Sequence, residues 1–135
     1  MRVIKILLGV VVVLVAAGLF AAWQIGAWNL LFPNRDHDTV APTLPSSVEA
    51  PAVLVFTKTN GFRHVEGIAG GLEAMQSIVA RHGWSMFHTE NGAVFNPGDL
   101  ARFGAVVFLN ASGDMLNEAQ ELAFQAWLES GGGWL

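Results

Sequence analysis

Residues 52–64 read AVLVFTKTNGFRH: five apolar residues, Ala52 to Phe56, pass directly into a polar segment dense in hydrogen-bond donors. An apolar run of that length, rich in β-branched residues and ended by turn formers, predicts a strand covered on both faces. Downstream the period changes. Ile68, Leu72, Met75, Ile78, Val79 and His82 recur at three- and four-residue spacing and predict a helix with one apolar face, stopped by Gly83. Trp84 to His88 predicts a second strand. After a loop with Asn96, Pro97 and Gly98, a short helical turn over Pro97 to Arg102 leads to AVVFL (Ala105 to Leu109), a third apolar strand. Asn117 to Ser130 reads as helix: Asn117 and Gln120 have capping-box spacing, Glu118 and Glu121 suit the positive N-terminal end, and Gly131 suits the exit. Gly132 to Leu135 opens a fourth strand.

Strand and helix alternate, which predicts an α/β fold with a parallel sheet and right-handed crossovers. Three strands and a stub leave an edge and one face short of cover, so residues 51–135 are expected to be an incomplete domain. Either further chain or a partner would complete the sheet.

Working back towards the N-terminus, residues 33–50 (PNRDHDTVAPTLPSSVEA) hold three of the five prolines and predict an extended, solvated tether. His37 stands between Asp36 and Asp38, but such a tether presents no preorganised metal geometry. Residues 1–32 are the membrane candidate. From Ile6 to Trp23 there is no charge and no amide, a stretch long enough to cross a bilayer as a helix. A cleaved signal peptide competes with an uncleaved anchor, but the stretch lacks an A-x-A cleavage pattern and runs on through Trp23, Trp28 and Leu30 to Phe32. An anchor is the expectation. Arg2 and Lys5 precede the span, which places the N-terminus in the cytoplasm and the soluble domain outside, periplasmic or extracellular. Trp23 and Trp28 would then lie near the outer interface.

Composition narrows the function classes. Of 135 residues 53% are hydrophobic and 13% charged, and the net charge of −4 divides as +2 for residues 1–32, −2 for 33–50 and −4 for 51–135. Nothing in that distribution attracts a nucleic acid. Without cysteine there is no disulfide, thiolate ligand or cysteine nucleophile.

In an open parallel sheet the ligand crevice lies beyond the carboxyl ends of the strands. Three loops qualify. The first, Thr57 to His64, carries Lys58, Thr59, Arg63 and His64 around Gly61, a set suited to an anionic or hydroxyl-rich ligand. It has neither standard phosphate-loop spacing, so no nucleotide cofactor is implied. The second loop offers Glu90, and the third, Asn110 to Asp114, offers Asn110 and Asp114. Candidate acid/base groups are His64 and Asp114; candidate ligand-binding groups are Lys58, Thr59, Arg63, Glu90 and Asn110. Each has a structural alternative. Lys58 and Arg63 could be solvated loop charges, Thr59 could close a turn, His64 could cap a helix, and Asp114 could settle the turn before Asn117. His82 is expected to be structural and His88 a buried strand residue. No pair has metal-ligand spacing, so no metal site is expected.

The run VLVFTKTNGFRH (Val53 to His64) and the segment AVVFLNASGDMLNEAQELAFQAWLESGGGW (Ala105 to Trp134) resemble the ThuA-like family, named for trehalose utilisation. Three features carry the resemblance: the K-T-x-G-F-R-H loop, the strand-LN-x-x-GD-x-LN turn, and the helix ending in a glycine triplet. It implies the flavodoxin-like, three-layer α/β sandwich of the class I glutamine amidotransferase-like superfamily, and a link to sugar metabolism. The strands that follow the glycine triplet in that family lie beyond Leu135, and the missing cysteine excludes a glutaminase. The expectation is therefore a membrane-anchored domain that binds or processes a sugar or sugar derivative. A non-catalytic binding or scaffold module, and a truncated product without independent activity, are the alternatives.

Overall fold

The computed structural model describes all 135 residues. Helix α1 spans Arg2–Gln24, and its 23 residues correspond to about 35 Å at 1.5 Å per residue. None of its residues is buried. By length and composition it is one helix able to cross a membrane. Gly26, at φ 73°, breaks the helix, and a single turn, α2 (Trp28–Leu31), follows.

The remaining elements are β1 (Ala52–Phe56), α3 (Val65–His82), β2 (Ser85–Thr89), a 3-10 turn (Gly92–Val94), α4 (Pro97–Leu100), β3 (Ala105–Phe108), α5 (Glu118–Glu129) and β4 (Gly133–Trp134). Every strand pairing is parallel, and the sheet order is β2-β1-β3-β4. Strand β1 is central, with Leu54 opposite Phe87 on one side and Val106 on the other. That is the flavodoxin-type order, with its switch point between β1 and β3.

Alternation along β1 divides the core. Ala52, Leu54 and Phe56 face a cluster with Val94, Phe95, Leu100, Phe103, Val106 and Leu116, packed against Phe124 and Trp127 of α5. Val53 and Val55 face Val79 and Val107, backed by Leu72 and Met75 of α3. Both faces are thus covered, contrary to the expectation of one bare face: a single helix suffices on the α3 side, while the 3-10 turn, α4 and α5 share the other. Phe56 sits edge-on to Phe95 and Phe108, with ring centroids 4.9 and 5.6 Å apart.

The helix ends follow from local chemistry. Gly83 takes φ 65° as the C-cap of α3. Asn117 and Gln120 close both bonds of the capping box, at 3.1 and 3.0 Å. From β1 onward the strand bounds and the helix stops agree with the sequence pattern to within a residue or two, and the pattern omits the 3-10 turn at Gly92; in the apolar segment 1–32 it also misses the break at Gly26 and the separate turn α2.

Residues 33–50 do not form a free tether. Val48 is buried, and with Leu44 it joins the core on the α5 side. Arg102 donates to the carbonyls of Pro45 (3.3 Å) and Val48 (2.6 Å), and Gln120 donates to the carbonyl of Asp38 (2.7 Å). Proline content removes backbone donors but leaves the carbonyls free to accept, and this segment is held through them. It is a strap across the domain. His88 is also not the buried strand residue expected; it is exposed on the edge strand β2. His82 is exposed too, stacked on Trp84 with ring centroids 4.8 Å apart.

Candidate functional site

The loops after β1 and β3 meet directly. Thr59 and Ser112 form a parallel bridge that prolongs the β1–β3 pairing, through Ser112 N–H to Lys58 O (3.2 Å) and Asn60 N–H to Ser112 O (2.8 Å). The Asn60 amide donates to Asp114 O (2.5 Å), and Ser112 Oγ donates to Phe62 O (2.7 Å). Gly113, at φ 83°, permits this approach, because a Cβ there would lie 2.5 Å from the Gly61 nitrogen. The crevice expected at the switch point is therefore closed by backbone hydrogen bonds.

The open cleft lies beside it, over the carboxyl ends of β1 and β2. Its volume is about 510 Å³, and none of its nine lining residues is hydrophobic: Lys58, Thr59, Asn60 and Arg63 from the first loop, Glu90 and Asn91 from the second, and Asn29, Asn34 and Asp38 from the segment before β1. Arg63 donates to Glu90 Oε1 (2.7 Å) and to Thr59 Oγ1 (3.0 Å). Lys58, almost buried, donates to Asp38 Oδ2 (2.5 Å), which also accepts from Gly92 N–H (2.8 Å). Each cation has a carboxylate partner, so the cleft is close to neutral. Of the four asparagine amides, Asn60 and Asn91 direct their donors to the carbonyls of Asp36, Asp114 and Val40 and fix the rim, while Asn29 keeps its acceptor oxygen and Asn34 its donor nitrogen unbonded within the protein. Below them, fully buried Thr57 places Oγ1 2.7 Å from His88 Nε2 and 3.4 Å from Glu90 Oε1, tying the floor of the cleft to β2.

Residues 52–135 match the ThuA family, described as trehalose utilisation. The chain belongs to the ThuA family. Among solved structures, a ThuA-like protein of Bacteroides uniformis matches with a TM-score of 0.50 and 18% identity, over 70% of this chain and 38% of that one. That likeness speaks for the fold, and the chain spans well under half the length of the protein it matches. No curated protein matches.

Of the residues singled out in the sequence, the ThuA domain gathers Lys58, Thr59, Arg63 and Glu90 in the cleft and leaves His64, Asn110 and Asp114 outside it. His64 is the N-cap of α3: its Nδ1 accepts from Gly67 N–H (2.9 Å), and its side chain is exposed. Asn110 turns the chain after β3 at φ 50°, a left-handed conformation that asparagine tolerates better than most residues. Asp114, also exposed, accepts a hydrogen bond from His37 Nε2–H (3.1 Å), which helps fasten the strap. No hydrogen bond joins His64 to Asp114, and no cluster of His, Asp and Glu suitable for a metal is present.

Asp38, Asn60, Asn91, Asn29 and Asn34 are lining residues the sequence reading passed over. The sequence offers only a partial signal: the first loop holds two cations and no acid, and Asp36 and Asp38 lie upstream of it, but which acid meets Lys58 follows from the burial of Lys58 in the structure. Partial burial by itself would raise the Asp38 carboxyl; the hydrogen bonds from Lys58 and Gly92, together with the Lys58 charge, outweigh it and hold the group below its ordinary value.

Proposed function

We propose that this ThuA-family chain is a membrane-anchored, extracytoplasmic module that binds a sugar or sugar derivative in the polar cleft over β1 and β2. The observation that carries this is the lining: nine polar residues, no hydrophobic one, and paired rather than free charges. A hydroxyl both donates and accepts, and amides and ion pairs fixed at the rim match that demand, whereas an anion would have to displace a resident carboxylate. The family description, trehalose utilisation, supports the same substrate class. Binding is favoured over turnover because the cleft contains no free acid/base pair, His64 and Asp114 being engaged elsewhere. The anchor rests on the apolar length of α1, and the outward orientation on Arg2 and Lys5 before it.

Calorimetric titration of the full-length protein in nanodiscs against trehalose and a panel of other sugars tests this. Saturable binding that weakens about tenfold on Glu90→Gln, as expected for losing one hydrogen bond to a charged group, supports it. Absence of binding to any sugar refutes it. Protease access to the domain in intact spheroplasts tests the orientation, and protection would overturn it.

A further inference from the structure

The end of α1 and the first site loop are joined without a spacer. Arg63 N–H donates to Gly26 O (3.1 Å), only two residues after α1 ends at Gln24, and the Asn29 amide donates to Thr59 O (3.3 Å). Gly26 is required by geometry: its φ is positive, and a Cβ there would collide with the Arg63 carbonyl. Farther on, Asn34 N–H donates to Asn60 O (3.3 Å). Helix α1 and the rim of the cleft are therefore one assembly.

A helix of this length fills a hydrocarbon core of about 30 Å, and the headgroup layer beyond it is only about 5–8 Å deep. One helical turn rises about 5.4 Å. With α1 spanning the bilayer, Gly26, and with it Arg63, would fall inside that layer. The exposed residues around this junction include a run of apolar ones, Trp28, Leu30, Leu31 and Phe32 on and beside α2, and Phe62 and Val65 on either side of Arg63 and His64, each more than a third exposed; Gln24, His64 and Glu66 are exposed among them and supply the polar groups that a headgroup layer accepts. Trp23, Trp28 and Val65 line a second cavity of about 410 Å³ at the junction, and it shares Asn29 and Arg63 with the polar cleft. Water is a poor neighbour for that collar. An interface that accepts indole and aliphatic groups beside headgroups is a good one, and its continuity with α1 singles out the bilayer as the occupant.

We infer that the collar of α2, Phe62 and Val65 seats in the bilayer interface and holds the cleft at headgroup level, so that its ligand is the hydroxyl-rich head of a membrane-borne molecule. The seating of the collar rests on the reading of α1 as a membrane anchor, and the identity of the ligand rests on the sugar-binding reading as well.

The chain has no cysteine, so single reporters can be placed cleanly in the full-length protein. Phe62→Cys puts a fluorophore on the collar, and Glu129→Cys puts one at the far end of α5, remote from the cleft. In phosphatidylcholine nanodiscs containing a nitroxide lipid, quenching of the Phe62 reporter without quenching of the Glu129 reporter is expected. Equal quenching of both, or none of either, overturns the seating. Adding Gly26→Val should abolish the Phe62 signal while α1 remains inserted; an unchanged signal overturns the coupling argued from the Gly26–Arg63 contact. The same nanodiscs, titrated with one disaccharide free and with that disaccharide on a lipid anchor, test the source of the ligand. Tighter binding of the anchored form is expected, and equal affinity overturns the membrane-borne ligand. Quenching at Phe62 without binding of either form would sink the sugar reading and leave the seating intact.

Discussion

Asp38→Asn separates the charge that holds the strap from the shape that fills its place. The carboxylate makes two hydrogen bonds, to Lys58 Nζ at 2.5 Å and to Gly92 N–H at 2.8 Å. Asparagine is nearly isosteric and keeps an acceptor oxygen, so the Gly92 bond can persist while the charged one is lost. Hydrogen bonds to charged groups contribute about 1.5–3 kcal/mol, and the exposure of about a third of the Asp38 side chain places this one at the lower end. Lys58, only 11% exposed, then lacks its counter-charge and carries a further desolvation cost. The expected destabilisation is about 2 kcal/mol, or roughly 8–16 °C in Tm for a domain of this size. Thermal unfolding of the full-length protein in detergent, followed by tryptophan fluorescence, reads it; limited proteolysis within residues 33–47 reads release of the strap. A double-mutant cycle with Lys58→Met should return a coupling of about 1–2 kcal/mol. The pH dependence has a fixed sign. Because folding lowers the Asp38 pKa, its contribution is complete above the ordinary carboxylate range and is lost as pH falls through the lower, folded value. Wild type should therefore lose its advantage over Asp38→Asn in acid. If the two proteins unfold alike at neutral pH and the cycle gives no coupling, then Leu44 and Val48 hold the strap and the ion pair does not.

Three further substitutions probe other levels of the structure. Phe56→Ala removes a fully buried ring from the centre of the aromatic cluster and should cost about 3–5 kcal/mol, enough to lose the cooperative unfolding transition. Gly113→Ala forces a left-handed alanine, costing about 1–2 kcal/mol, and drives its Cβ against the Gly61 nitrogen; amide exchange at Asn60 and Gly61 should accelerate, and unchanged protection would mean that the two loops are held by other contacts. His64→Ala deletes the α3 cap at a cost of about 1 kcal/mol while leaving sugar affinity unchanged; a loss of binding beyond the loss of folded protein would return His64 to the site.

The strands, the long helices and their stops were legible because each is set by local rules: an unbroken apolar run in β1, three- and four-residue recurrence in α3, a left-handed glycine at 83, and a capping box at 117. Four of the cleft residues were legible for a related reason, since they follow strands whose ends the pattern fixes. What stayed hidden depends on contacts distant in the chain. Nothing local to Asp38 says that it meets Lys58 twenty residues on and Gly92 beyond that. The closure of the β1 and β3 loops by the Thr59–Ser112 bridge is equally non-local, and it removed Asn110 and Asp114 from the cleft. The bare face expected of a short sheet failed for a simpler reason: the strap, the 3-10 turn and α4 are small elements that together do the covering of one long helix.

Three of the nine cleft residues, Asn29, Asn34 and Asp38, precede β1, and the first lies five residues after α1 ends. A segment whose only task is to connect an anchor to a domain has no need of such contacts; flexible, solvated chain would serve it equally well. Here the connection supplies a wall of the site and the counter-charge of its most buried cation. Cleavage within residues 22–33, as a signal peptide would undergo, removes Gly26 and Asn29, or severs them from the strap, and opens that side of the cleft. A chain lacking residues 1–33 should still fold on its two-sided core but bind sugar more weakly than the intact protein. Equal affinity in the two would show that the wall is ornamental to binding and that only the loops after β1 and β2 engage the ligand.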